Sequence, residues 1–312
     1  MTALRHALCW YSGDTDLHAR LGDVVVGALR EGGTVAVELR PATEVALRGR
    51  VADELGADAV AGLLRLERQA GPDGPSGQTD AVRAARVLRA HAERIGGPLT
   101  VVAEHAAVHS GADAYWNEIE AAVHVALADL PLELLCFFPD ELPQPLVPAA
   151  RAAHPFDLHD GDLVPTGEAC DPRRLLAERP APVPAELGPP LVDLAFDGVR
   201  LRDVRAAVDR AMREQGFTRS RAEDVTVAVN EVATNAVQHG GGKARLMLWT
   251  PDADVVCEIH DSGTLADPLP GLAPPDPGAE HGRGIWIARQ LCDLLHVWAD
   301  VEGTHVRIRA AA

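Results

Sequence analysis

The chain has 312 residues, 47% of them hydrophobic, a composition that fits a globular protein with room for two cores. Its formal net charge of −17, with no local basic cluster to offset it, argues against direct binding of nucleic acid. No stretch supplies the roughly 20 consecutive apolar residues of a membrane span. The apolar run in "MTALRHALCWYSGD" is too brief for a secretory signal, so a cytoplasmic protein is expected. Cys9, Cys136, Cys170, Cys257 and Cys292 form no CxxC pair and predict reduced, mostly buried thiols.

In chain order, the first part alternates apolar β-like runs with helical segments. The runs are "GTVAVEL", "LTVVAEH" and "LELLCFF", and the helices are expected over Ala81 to Ile95 and Tyr115 to Leu127. Buried strands alternating with helices predict an α/β fold with a mainly parallel sheet for residues 1–177. "ERQAGPDGPSGQTD" reads as an exposed loop and "HPFDLHDGD" as a turn-rich segment. Closely spaced prolines in "ERPAPVPAELGPP" deny helix and sheet their amide donors, which predicts an extended linker over residues 178–190. Beyond it, a strand "LVDLAF" leads to helices over Leu201 to Glu214 and around Val225 to Gly242. Strands "KARLMLW" and "DVVCEIHD", a proline-rich loop, a helix over Gly284 to Leu295 and strands "HVWAD" and "THVRIRA" follow. Helices on one side of a mostly antiparallel sheet define an α+β sandwich over residues 191–312.

The helix "VTVAVNEVATNAVQHGGG" carries the first chemical signal. Val225, Val229, Val232 and Ala236 recur at spacings of three and four and define its buried stripe, while Glu231 and Asn235 share the neighbouring face one turn apart. An Asn carbonyl oxygen suits Mg²⁺ and a Glu can orient or deprotonate a hydroxyl, although the same spacing also occurs on a merely solvated face. Asp261, at the end of "DVVCEIHD", can accept from an exocyclic amine, and Gly263 lets a flat ring approach the backbone. The loop "TLADPLPGLAPPDPGAEHGRG" has the length and composition of a lid. It ends in Gly282-Arg283-Gly284 at a helix start, where free N–H groups can cradle an anion.

Glu231-x3-Asn235, Asp261-x-Gly263 and Gly282-x-Gly284, in that order, resemble the N, G1 and G2 boxes of the Bergerat-fold (GHKL) ATPases. "NEVATNAVQHGGG" and "HGRGIWIARQLCDLLHVWADVEGTHVRIR" are most similar to the RsbW-like anti-sigma-factor serine kinases. The resemblance covers about residues 191–312. It implies ATP and Mg²⁺ as cofactors, Glu231 as general base, Asn235 as metal ligand and Asp261 as reader of the adenine amine. It further implies that Gly263, Gly282 and Gly284 shape the lid around the nucleotide and that Thr304 helps hold the adenine. Residues 1–177 resemble the MEDS sensory domain through "HALCWYSGDTDL", "YWNEIEAAVHVALADLPLELLCFFP" and "HPFDLHDGDLVP". The combination resembles RsbA-like regulators. It implies a serine/threonine kinase acting on an anti-anti-sigma (STAS) protein, coupled to sequestration of a sigma factor, under control of an unidentified sensory ligand. A homodimer is compatible with it.

Other candidates are weaker. Arg283, between two glycines, could meet the terminal phosphate or a partner's acid, or stay solvated. His105 and His109 sit at a strand end and read as structural, and a metal among His154, His159 and Cys170 is not expected from a turn-rich segment. Trp116, beside Tyr115, reads as core more readily than as a ligand contact. A histidine kinase would need an acceptor histidine followed by an acid on a helix, and the two pairs present, His159-Asp160 and His260-Asp261, fall in a turn and at a strand end. A non-enzymatic module gripping a partner in response to ATP is the other alternative, against which Glu231 argues.

Overall fold

The computed structural model describes residues 4–66, 76–95, 97–105, 113–144, 146–275 and 283–311. They form two compact units, one of Met1–Gln69 and Arg83–Arg179, the other of Ala70–Val82 and Pro180–Ala312.

In the first unit the order is β1 (Arg5–Tyr11), α1 (Gly13–Arg30), β2 (Thr34–Glu38), α2 (Pro41–Leu55), α3 (Ala57–Ala61), β3 (Leu64–Arg65), α4 (Gly77–Ile95, which enters this unit at Arg83), β4 (Leu99–Glu104), α5 (Asp113–Ala126), β5 (Leu132–Pro139), α6 (Val147–Ala153), β6 (Phe156–His159), β7 (Asp162–Pro165) and α7 (Pro172–Glu178). The sheet order is β3-β2-β4-β5-β1-β6-β7, parallel except for the final β6–β7 pair. Near-continuous apolar strands such as "LTVVAE" match a sheet covered on both faces. Ala7, Cys9, Tyr11, Leu135 and Phe137 pack on one face against Leu17, Leu21 and Val25 of α1. The "HPFDLHDGD" segment is a hairpin rather than irregular turns. Asp160 (φ 49°) and Gly161 (φ 89°) occupy the two left-handed positions of the tight Asp-Gly turn that joins β6 to β7.

The second unit runs β8 (Val192–Asp197), α8 (Leu201–Glu214), α9 (Arg219–His239), β9 (Lys243–Trp249), β10 (Val255–Asp261), α10 (Arg283–Leu291), β11 (Leu294–Ala299) and β12 (Thr304–Ala310). The antiparallel sheet, β11-β12-β10-β9-β8, buries one face against α8, α9 and α10. The last helix ends at Leu291, four residues before the expected Leu295, because Leu294 and Leu295 enter β11 opposite Arg309 and Ile308. Two further segments bond to this sheet. Residues 180–190 form neither helix nor strand, with Gly188 O accepting from Trp249 Nε1 (2.9 Å) and Ala185 O from Arg307 Nη1 (2.7 Å). The expected loop 67–80 ends differently. Residues 67–75 lie outside the described residues, but Ser76 and the first turn of α4 are buried, and the fully buried Gln78 amide donates to Val297 O (3.0 Å). A polar glutamine can be buried there because its oxygen also accepts, from Arg289 Nη2 (2.7 Å).

Candidate functional site

α9 is capped by Thr218, whose hydroxyl accepts from Arg221 N (3.3 Å). Its Val225, Val229, Val232 and Ala236 are all buried, as the apolar spacing predicts. That stripe fixes the rotation of the helix and leaves Glu231 half-buried and Asn235 exposed on the adjoining face. A Cβ added to Gly284 would stand 2.9 Å from Glu231 Oε2, so the carboxylate lies against the first turn of α10, where helix N–H groups lack intrahelical partners. Arg283 opens that helix and is exposed. Gly282 lies outside the described residues.

Asp261 closes β10, paired with Ala244 on β9 and Thr304 on β12. Its Oδ1 accepts from Gly263 N at 2.7 Å. A Cβ on Gly263 would meet Asp261 Oδ1 and His239 O, both at 2.7 Å, and one on Gly240 would meet Ala236 O and Asp261 Oδ1, both at 2.5 Å. Only glycine at these positions lets the end of α9, the end of β10 and the following turn share this space. Thr304 Oγ1 donates to Gly263 O (3.0 Å), tying the last strand to the same turn. Burial lifts the Asp261 carboxyl above its ordinary value, although the Gly263 N–H and the neighbouring histidines His260, His239 and His305 pull it back.

The first half of the proline-rich loop is anchored. Leu269 and Leu272 are buried, and Pro270 O accepts from Arg289 Nε (2.9 Å). Gly271 (φ 66°) passes so close that a Cβ would stand 2.6 Å from Trp286 N. Arg289 also donates to Leu295 O (2.8 Å), so one buried guanidinium joins loop, helix and sheet. The sequence reading missed Arg289, Gly240 and Gly271. A basic residue four positions after Ile285, on the apolar face of α10, and the first glycine of "HGGG" were the available signals.

Of the residues expected to act together, Glu231 and Gly284 meet, and Asp261, Gly263 and Thr304 meet. The arrangement sets the Asp261 carboxylate among closely packed glycines and, separately, the Glu231 carboxylate beside a helix N-terminus. A concavity of about 1310 Å³ lies elsewhere. It sits in the first unit at the amino ends of β1, β4 and β5, the opposite end from that at which open α/β sheets take ligands.

Residues 194–310 match the histidine kinase-like ATPase domain family. The second unit therefore carries an ATPase domain of the GHKL type, and such a domain implies ATP as its ligand. Among solved structures, the chain is similar to the RsbU and RsbW domains of a Mycobacterium tuberculosis protein, with 21% identity and a TM-score of 0.27. That likeness covers 42% of this chain and 33% of that one, so it spans about a third of its length. The search of curated proteins returned no match. Among the described residues, no helix is long and apolar enough to cross a membrane.

Proposed function

We propose that the second unit is an Mg²⁺- and ATP-dependent protein serine/threonine kinase of the anti-sigma type. Its partner would be a STAS-type anti-anti-sigma protein, its coupled activity the sequestration of a sigma factor, and residues 1–177 a MEDS-like sensory region. The observation that carries the reading is the seat of Glu231 against Gly284, which puts a carboxylate beside an anion-binding helix end.

The residues fit the cofactors. Glycines at 240 and 263 let the backbone close around the Asp261 carboxylate without a side chain beside it, and Glu231 with Asn235 is an oxygen donor set suited to a hard cation. In this reading Asp261 accepts from the adenine amine, and Thr304 steadies the turn by holding Gly263 O. Gly284 and the first N–H groups of α10 orient the phosphates, and Arg283 adds a positive charge at the same end. The Asn235 amide oxygen would hold Mg²⁺. When bound, the ion neutralises charge on the phosphates. Glu231 takes the proton from the acceptor hydroxyl as its oxygen bonds to the γ-phosphorus and the bond from that phosphorus to the β-phosphate oxygen breaks, with ADP as the leaving group.

Both His-acid pairs lie off helices, His159-Asp160 across the hairpin turn and His260-Asp261 at the end of β10, which disfavours autophosphorylation on histidine. The deciding experiment incubates the full chain with radiolabelled ATP, Mg²⁺ and candidate STAS proteins. Label stable to acid on the STAS chain supports the reading. Acid-labile label on this chain would replace it with a histidine kinase, and nucleotide binding without transfer would leave an ATP-gated binding module.

A further inference from the structure

Four buried side chains of the first unit converge without any part in the nucleotide site. β1 and β5 are parallel neighbours in the register His6↔Leu134 and Leu8↔Cys136, so residues 6, 8, 134 and 136 point to the same face of the sheet. α5 contributes Glu120, and four residues on, His124. His154 is the C-cap of α6, immediately before β6. His6 Nε2 lies 3.2 Å from Glu120 Oε2 and 3.3 Å from Cys136 Sγ, and His154 Nε2 lies 3.4 Å from the same Glu120 oxygen. One ligand atom from each of His6, Glu120, Cys136 and His154 falls within 4.8 Å of every other, and all four residues are buried.

Zinc bonds of about 2.0–2.1 Å to nitrogen and about 2.3 Å to sulfur give a tetrahedron whose edges are roughly 3.3–3.6 Å. The distances here are of that size. The protons also fall where a metal would require. His154 Nδ1 is 2.6 Å from Ala150 O and must donate to it, so in the neutral ring Nε2 presents a lone pair. That buried Nε2 has no hydrogen-bond partner and faces a carboxylate oxygen, an acceptor against an acceptor. An N–H donated to a backbone carbonyl is also the orienting bond that metal-bound imidazoles make. Outer contacts follow the same logic. His6 Nδ1 is 3.3 Å from His124 Nδ1, and His105 Nε2 is 3.4 Å from the second oxygen of Glu120.

The geometry points to a buried tetrahedral site for Zn²⁺, or a late first-row divalent ion of similar preference, held by His6, Glu120, Cys136 and His154. His124 and His105 act on it as positioning residues. Two imidazoles, a thiolate and a carboxylate form a nitrogen- and sulfur-bearing set that Mg²⁺ and Ca²⁺ do not favour. Four protein ligands make the site closed, which suits a structural or sensing role better than catalysis. Binding replaces the Cys136 thiol proton, which leaves to solvent, and the metal keeps its oxidation state. A cavity of about 30 Å³ beside Glu120, bordered by Trp116, Phe138 and Ala150, adjoins the cluster.

The test uses the untagged full chain without nucleotide. Metal analysis of protein prepared without chelator should find about one zinc per chain. After chelation, added Co²⁺ should give a thiolate-to-cobalt charge-transfer band in the near ultraviolet and intense tetrahedral bands in the visible. Cys136→Ser should abolish the charge-transfer band, and His124→Ala should weaken metal binding by about 10–100-fold while keeping the band. Should either variant fail to fold, the wild-type Co²⁺ spectrum still decides. Protein that is metal-free as isolated and takes up no Co²⁺ would overturn the site in favour of a metal-free buried polar cluster. Co²⁺ bound without a thiolate band would equally overturn the assigned ligand set.

Discussion

Burial lifts the Asp261 carboxyl while Gly263 N–H and three histidines oppose the shift, so ionising this residue costs the fold something that adenine recognition would then use. The sign follows from the direction. A folded-state value above the unfolded one gives stability that is fully present below the unfolded value and is lost as pH rises through the folded value. Asp261→Asn should therefore leave neutral-pH stability equal or higher and flatten that part of the pH profile, measurable as urea midpoints between about pH 4 and 8. The same substitution should weaken nucleotide binding by about 1–3 kcal/mol in calorimetry, through loss of a charged acceptor. A drop in stability together with affinity would mark Asp261 as structural instead. Glu231→Gln separates binding from chemistry. Affinity should stay within a few fold while transfer to the partner falls by roughly 10²–10⁴. Unchanged turnover would remove Glu231 from the role of base.

The elements differ in how far the sequence disclosed them. α8, β9 and β12 lie where apolar periodicity and punctuation put them, and the buried stripe of α9 is the one its spacing predicts. Glu231, Asp261 and Gly263 could be found because local order carries their signal: an acid one turn from an amide, and a glycine two residues after an acid. The end of α10 was misread because a helical apolar pattern runs on into Leu294 and Leu295, where pairing with β12 overrides it. The His6, Glu120, Cys136 and His154 cluster escaped for a different reason. Its members come from β1, α5, β5 and the end of α6, so no window of sequence contains two of them at a ligand spacing. His154 was weighed with His159 and Cys170 because they are its neighbours in sequence. His159 is mostly exposed, and the Cys170 thiol donates to Glu168 O instead (3.8 Å). The loop after Asp261 offers a test at this scale. Gly271→Ala combines a left-handed backbone with a Cβ only 2.6 Å from Trp286 N, whereas Gly242→Ala, at φ 84°, meets open space. Gly242→Ala should cost about 1–2 kcal/mol, the price of the conformation alone. Gly271→Ala should cost more in the same denaturation assay and should lower nucleotide affinity, because Pro270 and α10 lose their common seat. Equal costs would mean that the loop yields freely.

Two units with separate cores lead us to expect two thermal transitions, each answering its own ligand. ATP with Mg²⁺ at about 100 times its Kd should stabilise the second unit by about 2.7 kcal/mol, read by calorimetry as an upward shift of one transition. A shift of neither would contradict nucleotide binding. The buried Glu258, Arg307 and His305 group should give the second unit a pH dependence as well. Burial disfavours the His305 cation, yet the Glu258 and Asp300 carboxylates outweigh it and hold the imidazole above its ordinary value. Its contribution is thus complete below the unfolded value and fades as pH rises through the folded one. His305→Gln should remove that loss from the pH profile of the second transition.

Residues 76–82 interrupt the first unit in sequence but belong to the second, and Gln78 meets Val297 across 219 positions. A ribosome releases the chain from its N-terminus at about 5–20 residues per second, so Gln78 waits roughly 10–45 s before its partner strand exists. Nothing before residue 180 can complete that seam. The newborn chain therefore carries an unfinished polar segment through most of its synthesis, and its closure is a late event whose rate is set by a long loop rather than by local preference. In refolding experiments Gln78→Leu should slow the final phase, leaving the earlier gain of parallel-sheet structure at its wild-type rate.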